Sequence, residues 1–344
     1  MTKPTIADLA KAADVSVSTV NRILAGNVPV RGSTMQRVQS AAEKIGFYGI
    51  GTIEERLRKS VPSYRLGFLL QQSNRELYQI FGRHIVSACR ERRDDVIEQE
   101  IRFVDVLTPD NIAAQLLDLA KSCDAVALIA ADHPLIAQAI RTLGEQGKPV
   151  VTYITDQSAR ERAAYVGADN WKLGRTAAWL IANTTHEPGR VAVFNGNHRY
   201  QCQDVADASF RSYMREHAPH LTVEDSQPTH EEASEAYAML KELLAKTDDL
   251  RGIFIVGGGI SGVLAALREE PPETRHGIRL ICRDIGPIVR NGLSEGLVTA
   301  ALCHPLPQMS AQLVQAMVDA LTQDVPGTTT QYTLPFEIVT PENL

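Results

Sequence analysis

Apolar positions recur with a helical period over the first 45 residues. From Tyr64 they give way to short apolar runs separated by amphipathic stretches. Ile6, Leu9, Ala10 and Ala13 share one face of a predicted helix over Ile6–Ala13, with Thr5 as its cap. A break at Asp14-Val15 follows, and Ser16 caps a second helix over about Val17–Leu24, with Val20, Ile23 and Leu24 turned inward. Gly26-Asn27 ends it. A third helix runs from about Ser33 to Ile45 with Met35, Val38, Ala42 and Ile45 inside and Gly46 at its stop. Thr52-Ile53-Glu54-Glu55 then has the spacing of a capping box, which predicts a brief helix to about Lys59 before a linker at Ser60, Pro62 and Ser63.

Beyond the linker the runs Arg65–Leu70, Asp124–Ala130, Pro149–Tyr153, Arg190–Asn195, Gly252–Val256 and Arg279–Cys282 read as strands. Helical patterns separate them at Glu76–Arg92, Pro109–Lys121, Pro134–Gln146, Lys172–Asn183, Ala206–Glu216, Glu231–Ala245 and Gly262–Glu269. Such alternation predicts parallel, doubly wound sheets covered by helices on both faces. About 280 residues exceed what one such sheet usually holds, so two α/β lobes are expected. The resulting fold class is α/β: a small all-α head (residues 1–48), a hinge or linker (49–63), and a two-lobed body (64–344).

Composition keeps this picture within ordinary globular bounds: 344 residues, 44% hydrophobic and 22% charged, with a mean hydropathy of −0.14. The longest purely apolar stretch, Ala125–Ala131, is far short of the ~20 residues that a membrane span requires. Asp8 and Asp14 interrupt any apolar leader, so no export signal is read. Cys89, Cys123, Cys202, Cys282 and Cys303 are odd in number and far apart. They offer neither a disulfide framework nor a metal pair, and a reducing, cytoplasmic setting is expected.

Charge changes the picture more. The net −6 splits into +4 over residues 1–60, nine basic against five acidic, and −10 over the rest, 26 against 36. A basic head on an acidic body calls for a nucleic-acid reading of the head. Two helices joined by a tight turn leave Val17, Ser18, Asn21 and Arg22 on the outer face of the second helix. In a helix-turn-helix these positions meet base edges in the major groove. Arg22 suits guanine, Asn21 adenine, and Val17 a thymine methyl. Lys3, Arg31, Arg37 and Lys44 would contact the backbone, and the caps Thr5 and Ser16 complete the candidate DNA-binding set.

The run from Thr5 through Asp8, Val15, Ser16, Thr19 and Arg22 to Leu24, continued by Thr34, Val38 and Ile45-Gly46-Phe47, resembles the N-terminal signature of the lactose/galactose repressor (LacI/GalR) family. The resemblance implies a hinge helix that inserts a leucine into the minor groove. The chain departs from the usual Asn-x-x-Ala-Arg-x-Leu: it reads Gly51-Thr52-Ile53-Glu54-Glu55-Arg56-Leu57, leaving Leu57 as the candidate wedge.

For the body two readings compete. Gly257-Gly258-Gly259-Ile260-Ser261-Gly262 satisfies Gly-x-Gly-x-x-Gly after a strand and before a helix, with Asp284 following 22 positions after Gly262. That is the pattern of an NAD(P)-dependent enzyme, although it lies far along the chain and glycine is common in such turns. His230-Glu231-Glu232 lacks a second histidine and reads as a solvated helix start. The other reading rests on Tyr165–Asn170 before Gly174, Val256–Gly259, Ile281–Asp284, His304-Pro305-Leu306 and the closing Thr333–Ile338. These resemble the periplasmic-binding-protein-type effector domain of the same family.

That resemblance implies a small ligand, sugar or polyol, between two lobes, with no cofactor, metal or catalytic residue. Strand-end polar residues then form the candidate effector site: Asn74, Asp132, His133, Asp156, Asn195, Asn197, His198, Asp284 and His304, with Tyr78 offering a ring face. Asp156, Asp284 and His304 fall at the family's ligand-contacting positions. Two familiar contacts are absent: Ala206 stands three residues before Ser209-Phe210 where an arginine is usual, and Gly258-Gly259 replace Asn-Asp. Arg199 or His198 would substitute. The expected protein is a ligand-controlled transcriptional repressor that binds operator DNA as a homodimer or dimer of dimers, with Glu76–Arg92 as a candidate dimer face.

Overall fold

Thr5 opens the first helix through a reciprocal cap: its backbone N–H donates to Asp8 Oδ2 at 2.9 Å, and the Asp8 N–H donates to Thr5 Oγ1 at 3.3 Å. These Thr5 hydrogen bonds hold the Asp8 carboxyl below its ordinary range. The structure is a computed structural model that describes residues 4–25, 30, 32–53, 61–322 and 329–344. Arg31 and Leu57, both expected to touch DNA, lie outside the described residues, as does Lys3.

The chain divides into two units, residues 1–64 with 89–98, and residues 65–88 with 99–344. In the first, helices α1 (Ile6–Ala12), α2 (Val17–Ala25) and α3 (Gly32–Ile45) enclose Leu9, Val20, Ile23, Val38, Ala42 and Phe47, all nearly inaccessible. Asp14 takes a left-handed backbone (φ 52°) in the turn, which aspartate tolerates better than bulkier residues. Ser16 Oγ accepts from the Thr19 N–H at 3.2 Å, as the cap reading requires.

The hinge reading needs one correction. Residues 50–53 are already helical, and the N–H groups of Thr52 and Ile53 both donate to the Gly49 carbonyl. Thr52 therefore lies inside the turn instead of capping it, and Ile53 is fully buried in the head core. Burial of Ile53 in the head core decided this, and spacing alone does not show it.

The second unit holds the two lobes. The first sheet is built from β1 (Ser63–Gln71), β2 (Val96–Val104), β3 (Ala125–Leu128), β4 (Val150–Tyr153), β5 (Ala164–Ala168) and β12 (Thr330–Leu334), in the order β2-β1-β3-β4-β5-β12. The second follows the same winding with β6 (Gly189–Asn195), β7 (Leu221–Val223), β9 (Leu250–Ile255), β10 (Arg279–Arg283), β11 (Ala300–Cys303) and β13 (Glu337–Val339), in the order β7-β6-β9-β10-β11-β13. The short β8 (Gln227–Pro228) pairs with the end of β6, and β13 runs antiparallel to β11.

Helices α4 (Glu76–Glu91), α5 (Pro109–Ser122) and α6 (Pro134–Glu145) belong to the first sheet. Helices α7 (Asn170–Thr184), α8 (Gln201–His217), α9 (Ala233–Lys246), α10 (Ile260–Arg268), α11 (Pro272–Gly277) and α12 (Pro287–Ser294) belong to the second. Helix α13 (Leu306–Thr322) leaves the second sheet and packs against β3, β4 and β5 of the first. The chain therefore crosses between lobes three times, at residues 168–170, 303–306 and 334–337.

Central strands are continuous apolar runs because both faces are covered. Leu66, Phe68 and Val126 fill one lobe. Phe254 stacks on Phe210 at 4.9 Å in the other. The pattern missed β2, whose charged alternation suits a half-exposed strand at the sheet's edge, the short β5, β7, β8 and β11, too brief to carry a period, and helices α11, α12 and α13.

Candidate functional site

In a parallel sheet of this winding the carboxyl ends of strands on either side of the switch point face a crevice. Here two such crevices face each other and enclose a cavity of about 540 Å³. The segments after β1, β3 and β4 line it from one lobe, and those after β6, β8, β9, β10 and β11 from the other. Gln72 (φ 42°), Ile154 (67°), Glu231 (65°) and Asp284 (59°) all adopt left-handed backbones at these strand ends. For a β-branched residue such as Ile154 this costs free energy, and such strain persists where the surroundings over-determine it.

Three polar clusters line the crevice. In the first, Arg75 reaches across the cleft: its Nη1 lies 3.0 Å from Glu231 Oε2 and its Nη2 donates to the Glu231 carbonyl. Gln203 Nε2 donates to the other carboxylate oxygen at 2.9 Å, while Gln203 Oε1 accepts from the Gly196 and Asn197 N–H groups.

The second cluster is Arg283, His304 and Asp284. Arg283 Nη2 lies 2.9 Å from His304 Nε2, and His304 Nδ1 lies 2.6 Å from Asp284 Oδ1. The ring Nδ1–H of His304 donates to the carboxylate, and its Nε2 faces the Arg283 guanidinium. The His304 N–H donates to the same oxygen at 2.9 Å. Burial raises the Asp284 carboxyl, but the electrostatic attraction of the His304 ring, its hydrogen bonds and the positive charge of Arg283 outweigh it and hold it below the ordinary aspartate value. Among the described residues Arg283 Nε is buried with no hydrogen-bond partner, which leaves a donor beside the cavity.

In the third cluster the hydroxyls of Tyr78 and Tyr200 both donate to Gln71 Oε1, at 2.9 and 2.8 Å. Burial, then the nearby Tyr200 and Glu231, push the Tyr78 phenol well above its usual value, so it stays a donor. Phe81 packs edge-on to both Tyr78 and His304. The cleft thus offers donors, acceptors and ring faces together, the combination that grips a small hydroxylated molecule.

Of the sequence-read effector residues, Asn74, Tyr78, Asp284 and His304 line the cavity. The others are not brought there. Asp156 is bound by Arg162 at 2.6 Å and by Thr152. Asp132 ties the Ser158 N–H and hydroxyl, His133 caps α6 through the Leu135 N–H, and Asn197 Oδ1 accepts from the Arg199 N–H. His198 is half exposed beside Asp204. Asn195 is fully buried and within 3.4 Å of His198. The side chains of Asp132, His133, Asp156 and Asn197 bind nearby groups of their own lobe, as short polar residues often do. Arg199 does not substitute for the missing arginine; it donates to the Asp132 carbonyl.

Arg75, Tyr200, Gln203, Glu231 and Arg283 line the cavity and were not foreseen. Arg75 and Arg283 adjoin residues that were, so the strand-end rule reaches them. Glu231, read from the sequence as part of a solvated helix start, instead turns a 14% exposed carboxylate into the cleft; β8 before it has no apolar pattern to mark a strand end.

The glycines of the Gly257–Gly262 loop are accounted for by close packing. A Cβ on Gly262 would stand 1.8 Å from the Ala233 carbonyl, where α9 and α10 meet, and one on Gly258 would stand 2.2 Å from the Glu231 carboxylate. A carboxylate against this loop repels a dinucleotide's phosphates. Gly262→Ala is expected to overpack that helix contact and cost about 1–3 kcal/mol, read as a lowered melting temperature.

In the head, Val17 is 46% exposed, and Ser18, Asn21 and Arg22 are exposed on the same face of α2. Thr5 and Ser16 are engaged as caps.

Residues 5–49 match the family model described as bacterial regulatory proteins, lacI family, and residues 66–324 match the periplasmic binding protein domain. No curated protein matches the chain. Among solved structures, it is similar to a solute binding protein from Agrobacterium vitis bound with alpha-D-tagatopyranose (19% identity, TM-score 0.72, 81% of this chain and 95% of that one). A Burkholderia graminis solute binding protein in complex with D-arabinose gives 17% identity and 0.73, covering 81% and 96%. GanP, a glucose-galactose binding protein from Geobacillus stearothermophilus, gives 18% and 0.73, covering 82% and 99%. With a lacI-type helix-turn-helix at its head and three-quarters of its length in the two-lobed domain, the chain belongs to the lacI family of bacterial regulatory proteins with a periplasmic binding protein domain as its body.

Proposed function

We propose that the protein is a transcriptional repressor whose affinity for operator DNA is set by a sugar or polyol held in the cleft. One observation carries the reading: a DNA-reading head is joined to a body in which polar side chains from two lobes converge on one cavity. Asp284, His304 and the free Arg283 donor offer adjacent acceptor and donor groups, which vicinal hydroxyls complement. The sugars held by the structural neighbours support the same class of ligand.

Val17, Ser18, Asn21 and Arg22 would read base edges, with Arg37 and Lys44 among the residues on phosphates. A homodimer, or a dimer of dimers, would place two heads on a roughly palindromic site, with α4 as a candidate contact face. Ligand binding would change the preferred arrangement of the heads through a coupling free energy of about 1–3 kcal/mol. Binding DNA would place the protein in the cytoplasm.

The test is a thermal-shift screen of the full chain with sugars, polyols and sugar acids, followed by DNA-binding titrations with and without the strongest stabiliser. A ligand at 100 times its Kd raises stability by about 2.7 kcal/mol. A hit that shifts DNA affinity 5- to 150-fold is the expected result. Stabilisation by a dinucleotide and by no sugar or polyol would overturn the reading in favour of an enzyme.

A further inference from the structure

The Arg75–Glu231 pair joins the lobes across the cavity that both residues line, and three features show a seat built for it. Glu231 and the preceding His230 both hold left-handed backbones (φ 65° and 49°), so two consecutive residues carry local strain to aim this carboxylate. Both of its oxygens are engaged, one by Arg75 of the opposite lobe and one by Gln203 of its own. Two glycines leave the space: a Cβ on Gly196 would stand 1.6 Å from Oε1, and one on Gly258 2.2 Å from Oε2. The pair is also sheltered, with side chains 27% and 14% exposed, which keeps it from the screening that makes surface pairs weak.

Other cross-lobe bonds surround it. The Asp132 N–H donates to the Arg199 carbonyl at 2.8 Å, Arg199 Nη1 donates back to the Asp132 carbonyl, and Tyr200 donates to Gln71. These involve backbone or neutral groups, and only Arg75–Glu231 among the described cross-lobe contacts is an ion pair with a partner held on a strained loop.

We propose that Glu231 is a positioning residue for closure: seated by Gly196, Gly258 and Gln203, it latches onto Arg75 and sets the balance between open and closed lobes, and through it the apparent affinity for whatever the cleft binds. A ligand that engages both lobes binds the closed form, and its apparent Kd rises as the closed fraction falls. This rests on the cleft being the effector site, but the latch itself is measurable without a ligand.

Spin labels at Val106→Cys and Asp225→Cys, on loops following the second strand of each sheet, report the separation of the lobes in the full chain; the native cysteines are buried. Glu231→Gln keeps the side-chain shape and loses the charge, so the label separation should lengthen or broaden. Gly258→Ala should do the same by displacing the carboxylate while leaving its chemistry intact. Exchanging the pair as Arg75→Glu with Glu231→Arg should restore part of the closed population. With the best sugar or polyol of the screen, Glu231→Gln should weaken binding about tenfold or more. An unchanged separation in both Glu231→Gln and Gly258→Ala, with each variant folded by circular dichroism, overturns the latch. If the separation changes as stated but no sugar or polyol binds, the latch stands and the assignment of the cleft to such ligands falls.

Discussion

A chain carrying Asn21→Ala and Arg22→Ala together is expected to lose selective DNA binding while its melting temperature stays within a degree of the parent. Both side chains are exposed on α2, outside the buried head core that includes Leu9, Val20, Ile23, Val38 and Phe47. Truncating them removes nothing that holds the three helices together. A well-formed contact of arginine with guanine, or asparagine with adenine, contributes about 1–3 kcal/mol of discrimination. Losing both costs about 2–6 kcal/mol, or roughly 30-fold to 10⁴-fold in affinity for the preferred sequence.

Affinity for random duplex should fall far less, because counterion release from phosphates supplies most of it. By contrast, Arg37→Ala or Lys44→Ala should weaken specific and random duplexes alike and flatten the salt dependence. Fluorescence anisotropy against a selected and a scrambled duplex at several salt concentrations separates these outcomes. Undiminished preference for the selected duplex in the double variant would remove α2 from base recognition.

Asp284→Ala is expected to disable the cleft and to lower stability together. Its Oδ1 accepts from the backbone N–H and the ring Nδ1–H of His304, whose side chain is 1% exposed. Removing the acceptor strands two buried donors, each at about 1–3 kcal/mol. The expected loss is roughly 2–6 kcal/mol, a fall in melting temperature of about 4–24 °C at about 2–4 °C per kcal/mol. His304 would no longer be held with Nε2 toward Arg283, so the ordered polar floor of the cleft is lost and ligand stabilisation with it.

Asp284→Asn separates the two effects. An amide oxygen still accepts from both His304 donors, so most of the stability should return. Its pH dependence should not. The native carboxyl is held below the ordinary aspartate value of about 3.9, so its contribution to stability is present above that value and is lost as pH falls toward the lower value in the folded chain. Acid titration of the melting temperature should show this loss in the parent and a flatter acid limb in Asp284→Asn. Equal acid limbs would mean that the carboxylate is not held by its neighbours as the geometry implies.

How much of the site was legible depended on which physical rule governed each residue. The strand-end rule led to Asn74 and Asp284, because a parallel strand with a continuous apolar run identifies its own carboxyl end, whereas His304 follows a strand the pattern missed and rests on the family resemblance. The same rule led to Asp132, Asp156 and Asn197, which also follow strands but turn back to Ser158, Arg162 and the Arg199 N–H. Position at a strand end is local information; the direction in which a short polar side chain finds its partner is not. Gln203 also stands in the cleft. The predicted helix began at Ala206, so this side chain lay in what was read as loop, whereas α8 starts at Gln201.

The sequence by itself determined the three-helix head, the turn between α1 and α2, the alternation that forces two doubly wound lobes, and the charge asymmetry between head and body. All of these follow from periodicity, capping and composition, which act over a few residues at a time. Only the tertiary structure decided that Ile53 belongs to the head core, that the glycine loop makes room for a carboxylate and a helix instead of a phosphate, and that Arg75 meets Glu231 156 residues away. Those outcomes depend on which surfaces the winding of two sheets brings face to face. No window along the chain contains both partners.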